Sequence, residues 1–390
     1  MNSEQLSILH ITNSYGGTTV YQNLFSELDK LGITQQIFVP LNSRNKYRVG
    51  NQTIDFKNKK SVIIYSISLK QYHKYLYSLK ISTITHEIIN KIDNLSAIDL
   101  IHASTLCLDG AVAYKLWEKY KIPYIVTVRN TDINSYYRKL IWHRSFFHKI
   151  LIKAAKIIFI SPSYQYRFTN EILPDFVKIK IQNKIQSIPN GVDRIFLENS
   201  TKPMKLEFPV KIVYAGGIQK NKNIHSSIEA IQMLRNEGFD INFTIIGKGL
   251  KHRRTSSKYS KKIEDFANSE TWINILPSQS KENLKRLLSE YDIFIMPSFT
   301  ETFGLAYVEA LTQGLPIIYS KGQGFDGFFV DGHIGYSVNP NVVEDIALKL
   351  KLVIEKYDMI SNNIKNLKFD QFNWEIIARK YQTFYTTIKK

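Results

Sequence analysis

Two successive sets of strand-like runs, each alternating with amphipathic stretches, constrain this chain more than any other feature. In the first set SILHIT (7–12), ITQQIFV (33–39), SVIIYSI (61–67), DLIHAS (99–104), PYIVTV (123–128) and KIIFIS (156–161) are rich in β-branched and apolar residues. Between the first two, Val20, Leu24, Leu28 and Leu31 recur at helical spacing, and LDGAVAYKLWEKY (108–120) is helical in character too. Strand, helix, strand at this spacing predicts βαβ units and a mostly parallel sheet. The rhythm breaks over 188–209, where three prolines and turn signals leave no clear period. It resumes with KIVYAG (211–216), a helix from about Asn223 to Arg235, INFTIIG (241–247), WINIL (272–276), a helix from Lys281 to Leu288, YDIFIMP (291–297), a helix near Leu305 to Thr312 and LPIIYS (315–320). The predicted fold class is α/β: two Rossmann-like doubly wound domains in tandem, 1–200 and 201–371, with a cleft between two sets of strand carboxyl ends. Trp374, Ile377, Tyr381 and Tyr385 lie at helical spacing, so 372–390 is read as a closing helix that packs back on the first domain.

A length of 390 residues is enough for two such cores. Cys107 is the single cysteine, which excludes a disulfide scaffold and a cysteine-built zinc site and fits a reducing compartment. No charge-free apolar run approaches the roughly 18 residues of a spanning helix, and MNSEQLSILH lacks the basic start of a signal peptide, so a cytoplasmic protein is expected. The formal charge is +18, unevenly spread: residues 1–200 hold 26 Lys+Arg against 14 Asp+Glu, and residues 201–390 hold 26 against 20. A basic first half suits a nucleic acid, an anionic membrane face or phosphorylated small molecules without choosing among them. Abundant Lys, Asn, Ile and Tyr fit an AT-rich coding habit equally well.

The most informative segment is SFTETFGLAYVEALTQGLPII (298–318). A strand ends at Met296, a polar loop carries Glu301, and Thr302, Phe303 and Gly304 lead into a helix holding Glu309. First-turn amides lack partners inside a helix and the helix dipole favours anions, so this start suits a diphosphate, with Gly304 allowing close approach. From Gly304 to Glu309 the helix rises roughly 7 to 8 Å, which suits a carboxylate reaching ribose hydroxyls while the amides hold phosphate. Two exposed glutamates eight apart also occur by chance in any helix-rich chain, so the pair alone decides nothing.

The wider context decides more. ETFGLAYVEALTQGLPII resembles the Glu-x7-Glu signature of the retaining family 4 glycosyltransferases with the GT-B fold, including the EA-x3-G-x-P tail. In order along the chain, SYGGTTVYQNLFSELDKLG (14–32) is similar to that family's first glycine loop and helix, DLIHAS and PYIVTVRNTD (123–132) to its acceptor-side strands, and IPNGVD (188–193) to its turn before the linker. YAGGIQKNKNI (214–224) is similar to the strand and lysine loop opening the donor domain, and GQGFDGFFVDGHIGYSV (322–338) to the section after the signature.

The resemblance implies transfer of a sugar from a nucleotide diphosphate sugar, with retention at the anomeric carbon, in surface polysaccharide or glycolipid synthesis. It places the nucleotide mainly on the second domain and a glycan or lipid-linked acceptor mainly on the first. By match, Glu309 would bind the ribose, Glu301 the donor sugar hydroxyls, Phe303, Gly304 and Leu305 the phosphate or sugar through backbone groups, and Lys222 the diphosphate. Gly16 and Gly17 would let the first-domain loop approach the diphosphate, and Gly247, Lys248 and Gly249 would flank the nucleotide. No cofactor is implied beyond the co-substrate, for which a UDP-sugar is expected before a GDP-sugar, and nucleic acid is not among the expected partners.

Two departures stand out. Gly217 occupies the position where many relatives carry arginine, so Lys220 or Lys222 would supply the phosphate charge, without a guanidinium's bidentate fork. Arg129, in TVRNTD, stands where many relatives have histidine, followed by Asp132; an arginine cannot serve as a base at neutral pH, so both residues are assigned to acceptor or sugar binding. His10 and His102, at strand ends, read as packed, hydrogen-bonded imidazoles. No Asp-x-Asp occurs in the chain, which argues for leaving-group stabilisation by lysine and helix amides without a metal site. YYRKLIWHRSFFHKI (136–150) interleaves Arg138, Lys139, Arg144 and Lys149 with Tyr137, Trp142, Phe146 and Phe147, as a helix on an anionic inner membrane face would, or as an ordinary packed helix would. An epimerase or phosphorylase on the same fold and a non-catalytic nucleotide-sugar binder are the competing readings. A dinucleotide oxidoreductase is disfavoured because His252 falls where G-x-G-x-x-G needs its last glycine. The nucleotide base, the sugar, the linkage and the oligomeric state are written in no motif.

Overall fold

The computed structural model describes residues 6–198, 205–249 and 254–389, and the chain divides into two compact units. The first takes the chain up to Ile160, then Tyr164–Gly191 and the segment from Trp374 onward; the second takes Ser161–Ser163 and Val192–Asn373. The expected edge at 200/201 and His252 both lie outside the described residues.

Seven strands build the first unit's sheet: β1 (Ser7–Ile11), β2 (Thr34–Asn42), β3 (Val62–Leu69), β4 (Leu100–Ala103), β5 (Tyr124–Val128), β6 (Lys156–Phe159) and β7 (Ile185–Ser187). Their order is β3-β2-β1-β4-β5-β6-β7 and every neighbouring pair is parallel, with His10 of β1 opposite Ile37 on one side and His102 on the other. Helices cover both faces, so β4 and β5 are buried along their whole length and read as unbroken apolar runs rather than alternating ones. The helix Thr19–Lys30 starts where the Thr18 hydroxyl accepts from the Val20 amide, and it buries Val20, Leu24, Phe25 and Leu28. Each such side chain, once fully buried, contributes about 1.5 to 3 kcal/mol. The helix Trp374–Lys389 returns to the first unit: the Tyr385 hydroxyl meets His102 Nδ1 at 2.7 Å, and Gln382 donates to the Leu31 carbonyl.

The second unit's sheet holds β8 (Val210–Ala215), β9 (Ile241–Ile246), β10 (Ile273–Leu276), β11 (Ile293–Met296), β12 (Ile317–Ser320) and β13 (Gly335–Val338), in the order β10-β9-β8-β11-β12-β13 and again all parallel. Chain reversal between β8 and β11 opens the order at the sheet centre, the place where doubly wound sheets bind ligands. Strands β7 and β13 and the helices Tyr77–Lys91, Val343–Glu355 and Tyr357–Lys365 carry no strong sequence signal and are additions to the predicted set.

One expectation needs correction. A single amphipathic helix from Tyr136 to Ile150 does not form. The segment is a wide helical turn at Asp132–Tyr137, a tight turn at Ile141–His143 and a helix at Arg144–Lys153. The break has local causes: Arg144 Nε donates to the Tyr137 carbonyl at 3.0 Å, its guanidinium lies 4.9 Å from the Tyr137 ring, and His143 N bonds back to Leu140 O. Tyr137 and Phe147 consequently enter the core, and Trp142 is left 89% exposed. Among the described residues no helix is long and apolar enough to cross a membrane.

Candidate functional site

In the second unit the loops at the carboxyl ends of β8, β9 and β11 converge. The first loop, Gly216 to Asn223, is held by backbone. Ile218 N donates to Lys248 O at 3.1 Å, and a Cβ on Gly247 would sit 1.9 Å from the Gly216 carbonyl oxygen. A Cβ on Gly249 would lie 2.0 Å from Ser260 Oγ. Gly247 is thus explained by close packing of two loops and Gly249 by the approach of Ser260 on the helix Arg254–Ser269, and Lys248 between them is exposed. Gly217 is held by the Tyr214 hydroxyl, which donates to its carbonyl at 2.8 Å.

Asn223 is the latch of this loop, and sequence reasoning missed it. It is fully buried in the left-handed region at φ +57°, and its amide donates to Pro297 O at 3.1 Å and Pro340 O at 2.7 Å while its oxygen accepts from Ser226. Phe299 N also donates to Asn221 O at 2.9 Å. The visible signal was an asparagine directly ahead of a helix, a residue type that tolerates the left-handed region and bonds locally. Its effect is to tie the lysine loop to the loop after β11.

That tie brings two predicted residues together. Lys222 Nζ is ion-paired and hydrogen-bonded to Glu301 Oε2, with only 19% and 13% of the two side chains exposed. The other carboxylate oxygen of Glu301 accepts from the Thr302 amide at 3.0 Å, and its backbone N–H donates to Gln323 Oε1. Lys220 points outward from the same turn and is exposed. Three residues on, Gly304 caps the helix Leu305–Thr312 at φ +90°, with no side chain to occupy the first amides. A Cβ there would meet the Tyr307 ring at 2.3 Å, so both conformation and space demand glycine. Phe303 is buried against Phe328 and Phe372, leaving it only backbone groups to offer, and Leu305 is half-buried at the helix start. Gly324 closes the back of this turn: its amide donates to Glu301 O, and a Cβ would collide with the Thr302 carbonyl at 2.4 Å.

Glu309 lies further along the same helix, half-buried. Burial pushes its carboxyl up to about 7, the Asp193 carboxylate adds to the rise and Lys281 opposes it. Asp193 and Lys281 are ion-paired to each other, so Glu309 faces a nearly neutral pair. The helix therefore offers unoccupied amides at one end, a charged Lys–Glu pair beside them and a carboxyl that gains from a hydrogen-bond donor at the other. Among the described residues no cluster of three or more His, Cys, Asp or Glu is arranged as metal ligands.

The first unit has a different chemistry at its sheet's carboxyl edge. Gly16, at φ +79°, lies where a Cβ would meet Arg48 O at 2.8 Å, and Gly17 N donates to Ser14 O. Beneath them Asp109 is buried and accepts from Asn13 and Thr105; burial pushes its carboxyl up to about 7. Asp132 is also buried, with its carboxyl raised by burial, and it accepts from the Cys107 and Arg129 amides at 2.8 and 2.9 Å. Its work is to shape the turn, which differs from the contact with acceptor expected of it. Arg129 donates to Ser104 O at 2.9 Å and stacks 5.0 Å from the Tyr21 ring. His102 is shared between Tyr385 and Thr127, and burial depresses its pKa to about 3, in keeping with a packed, hydrogen-bonded imidazole. His10 is also held neutral by burial, but neither ring nitrogen has a hydrogen-bond partner, so it departs from the hydrogen-bonded imidazole expected there and is simply packed against Phe25.

Comparison with known proteins bears on the family and the fold. A family model described as Glycosyltransferase Family 4 matches residues 15–195, and one described as Glycosyl transferases group 1 matches 198–368, so that together they span most of the chain. The alpha-monoglucosyldiacylglycerol synthase of Acholeplasma laidlawii is 24% identical over 399 aligned positions, covering 95% of this chain and 93% of that protein. Among solved structures, the sucrose-phosphate synthase of Thermosynechococcus elongatus has a TM-score of 0.75 at 16% identity, over 98% of this chain and 99% of that one. Anabaena HepE, solved in complex with UDP-glucose, has a TM-score of 0.69 at 14% identity, over 98% and 100%.

Proposed function

This chain belongs to the glycosyltransferases of family 4 with the GT-B fold, and on that ground we propose that it moves a sugar from a nucleotide diphosphate sugar to a glycan or lipid-linked acceptor, with retention at the anomeric carbon. One observation carries the reading: Lys222 and Glu301 are held together beside the uncapped start of the helix Leu305–Thr312, with Glu309 on that same helix. Amides at Leu305 and Ala306 and the Lys222 ammonium would take the diphosphate, because both concentrate positive charge where the leaving group gains negative charge. Glu301 would accept from donor-sugar hydroxyls and Glu309 from the ribose. In the transfer the bond from the anomeric carbon to the diphosphate oxygen breaks and the acceptor oxygen bonds to that carbon on the same face. The acceptor proton passes to the departing phosphate oxygen, and the nucleoside diphosphate leaves. No residue of the described site stands as an obvious nucleophile, which suits this front-face route.

A UDP-sugar is the first donor to try, since HepE is a fold relative solved with UDP-glucose. The relative named as a glycolipid synthase favours a lipid acceptor. The test is a panel of UDP- and GDP-sugars, with nucleotide release measured with and without lipid and glycan acceptors, in the presence and absence of EDTA. A transferase releases nucleotide at full rate only with an acceptor, and activity that survives EDTA supports lysine-and-amide stabilisation. Donor conversion without any acceptor would instead make the chain an epimerase, and absence of turnover with tight nucleotide binding would make it a binding protein.

A further inference from the structure

A cavity of about 490 Å³ lies wholly within the first unit, beyond the carboxyl ends of β2 and β3 and beside the turn that follows β5. Its lining includes Lys70, Lys74, Lys80 and Lys139, with Tyr75 and Tyr136, and no Asp or Glu is among the residues lining it. Four cations gathered around one concavity without a carboxylate repel one another, an arrangement that a bound anion relieves.

The cavity also receives the start of the helix Tyr77–Lys91. That helix has no side-chain cap at Leu76 and no acidic residue in its first turn, where Lys80 stands instead. A cation in a first turn opposes the helix dipole, and the first amides lack partners. Burial holds the Lys80 ammonium below the usual lysine range, with Asp109 pulling the other way. His73 holds the turn in place: its Nδ1 accepts from the Lys70 amide at 2.9 Å and its Nε2 meets Thr83 Oγ1 at 3.2 Å, so the ring has no free nitrogen for a ligand. Thr131 and Ser135 line the same cavity from the turn that holds Asp132.

We propose that this lysine pocket seats the phosphate of a phosphate-bearing acceptor. That the phosphate belongs to an acceptor rests on the glycosyltransferase reading, whereas the phosphate site itself rests on the four lysines and the helix start. Position beyond the carboxyl edge of a parallel sheet is where such folds take ligands. A phosphate offers the oxygens that ammonium groups and helix amides share. Exposed apolar side chains lie at or close in sequence to the lining residues: Tyr75, which lines the cavity, is 80% exposed, and Leu76 and Trp142 are exposed in the adjoining segments. Such side chains favour a phosphate presented at a lipid surface over one on a free sugar phosphate.

The test compares the native chain with a Lys70→Gln, Lys74→Gln, Lys80→Gln, Lys139→Gln variant and with a control in which the exposed second-unit residues Lys211, Lys356, Lys365 and Lys368 become Gln. Co-sedimentation is read on phosphatidylcholine vesicles carrying phosphatidic acid or phosphatidylserine, and inorganic pyrophosphate binding is read by calorimetry with the second-unit diphosphate site saturated by UDP or GDP. The pocket variant is expected to lose about tenfold or more in affinity for phosphatidic acid vesicles, as loss of several charge-assisted contacts requires, while the control keeps affinity within about twofold. Loss of pyrophosphate binding in the pocket variant, with no preference for phosphatidic acid vesicles, would keep the phosphate site and assign it a soluble source. Equal binding by variant and control in both assays would overturn the proposal. A Lys74→Gln, Lys139→Gln pair, both on exposed positions, serves if the fourfold variant does not fold. UDP and GDP binding are measured on all variants: absence of both in the native chain would count against the transferase reading, whereas nucleotide binding kept beside unchanged vesicle binding would count against the lysine pocket alone.

Discussion

The carboxyl edges of the two sheets solve the same problem, a polar site on an apolar frame, by different means. In the second unit the charges are already paired, Lys222 with Glu301 and Lys281 with Asp193, while Gly247 and Gly324 let backbone approach backbone and Gly304 makes room for the Tyr307 ring. In the first unit the carboxylates Asp109 and Asp132 are buried and used internally, while four lysines face an open cavity with no acid lining it. A site made of backbone amides and a part-buried ion pair is geometrically exacting, whereas one made of long side chains around a cavity adapts its shape to what it binds.

The strongest way to break the comparison is to disturb backbone geometry in each unit. Gly304→Val forces a β-branched residue into φ +90° against the Tyr307 ring, and kcat/KM is expected to fall by two to three orders of magnitude, about 3 to 4 kcal/mol. Gly17→Ala in the first unit meets nothing closer than the Ser14 carbonyl at 3.3 Å at an unstrained φ, and a change under about threefold is expected. Steady-state rates and UDP titration on both variants check this, and equal losses would mean that the second unit is no more exacting than the first.

Asn223→Ala should come next. It removes three hydrogen bonds of a buried residue and leaves an alanine at φ +57°, for roughly 3 kcal/mol in all. Hydrogen exchange should show the lysine loop opening with the first sheet's protection unchanged, and transfer should slow as Lys222 loses its place. Protection lost evenly across the chain would show that the loop is not separately latched.

Tyr385→Phe probes the first unit alone. It strands His102 Nδ1 in the core and should cost about 1 to 3 kcal/mol by urea unfolding, with donor affinity unaltered. Because burial depresses the His102 pKa to about 3, the folded chain binds fewer protons there than the unfolded chain below about 6.5. That residue's contribution is therefore present above the unfolded value and is lost as pH falls toward 3.

Glu309 should give the smallest effect and the opposite sign. Its carboxyl is raised to about 7, so between the ordinary carboxylate value and 7 the folded chain holds the extra proton and stability falls as pH rises. A carboxylate that accepts from ribose must be ionised, so nucleotide affinity should climb several-fold from pH 6 to 8 in the native chain and stay flat in Glu309→Gln. A flat profile in both would place the ribose elsewhere.

The alternation of strands and helices, the Glu-x7-Glu helix and the closing aromatic stripe of 374–385 were legible in the chain because each is a local pattern: β-branching, helical period and glycine where φ is positive report on neighbours only a few residues away. The pairing of Lys222 with Glu301 was written there only as two separate motifs. What joined them is Asn223 reaching Pro297 and Pro340, a contact over 74 and 117 residues that no periodicity carries. Likewise the lysine pocket draws on Lys70, Lys74 and Lys80 from one segment and Lys139 from another, and the break of the expected Tyr136–Ile150 helix came from an arginine side chain capturing a carbonyl seven residues earlier. Local sequence sets which elements form, since propensity and burial period act at short range. Which charges meet is set by packing, because a side chain's partner depends on where the sheet order places the next loop.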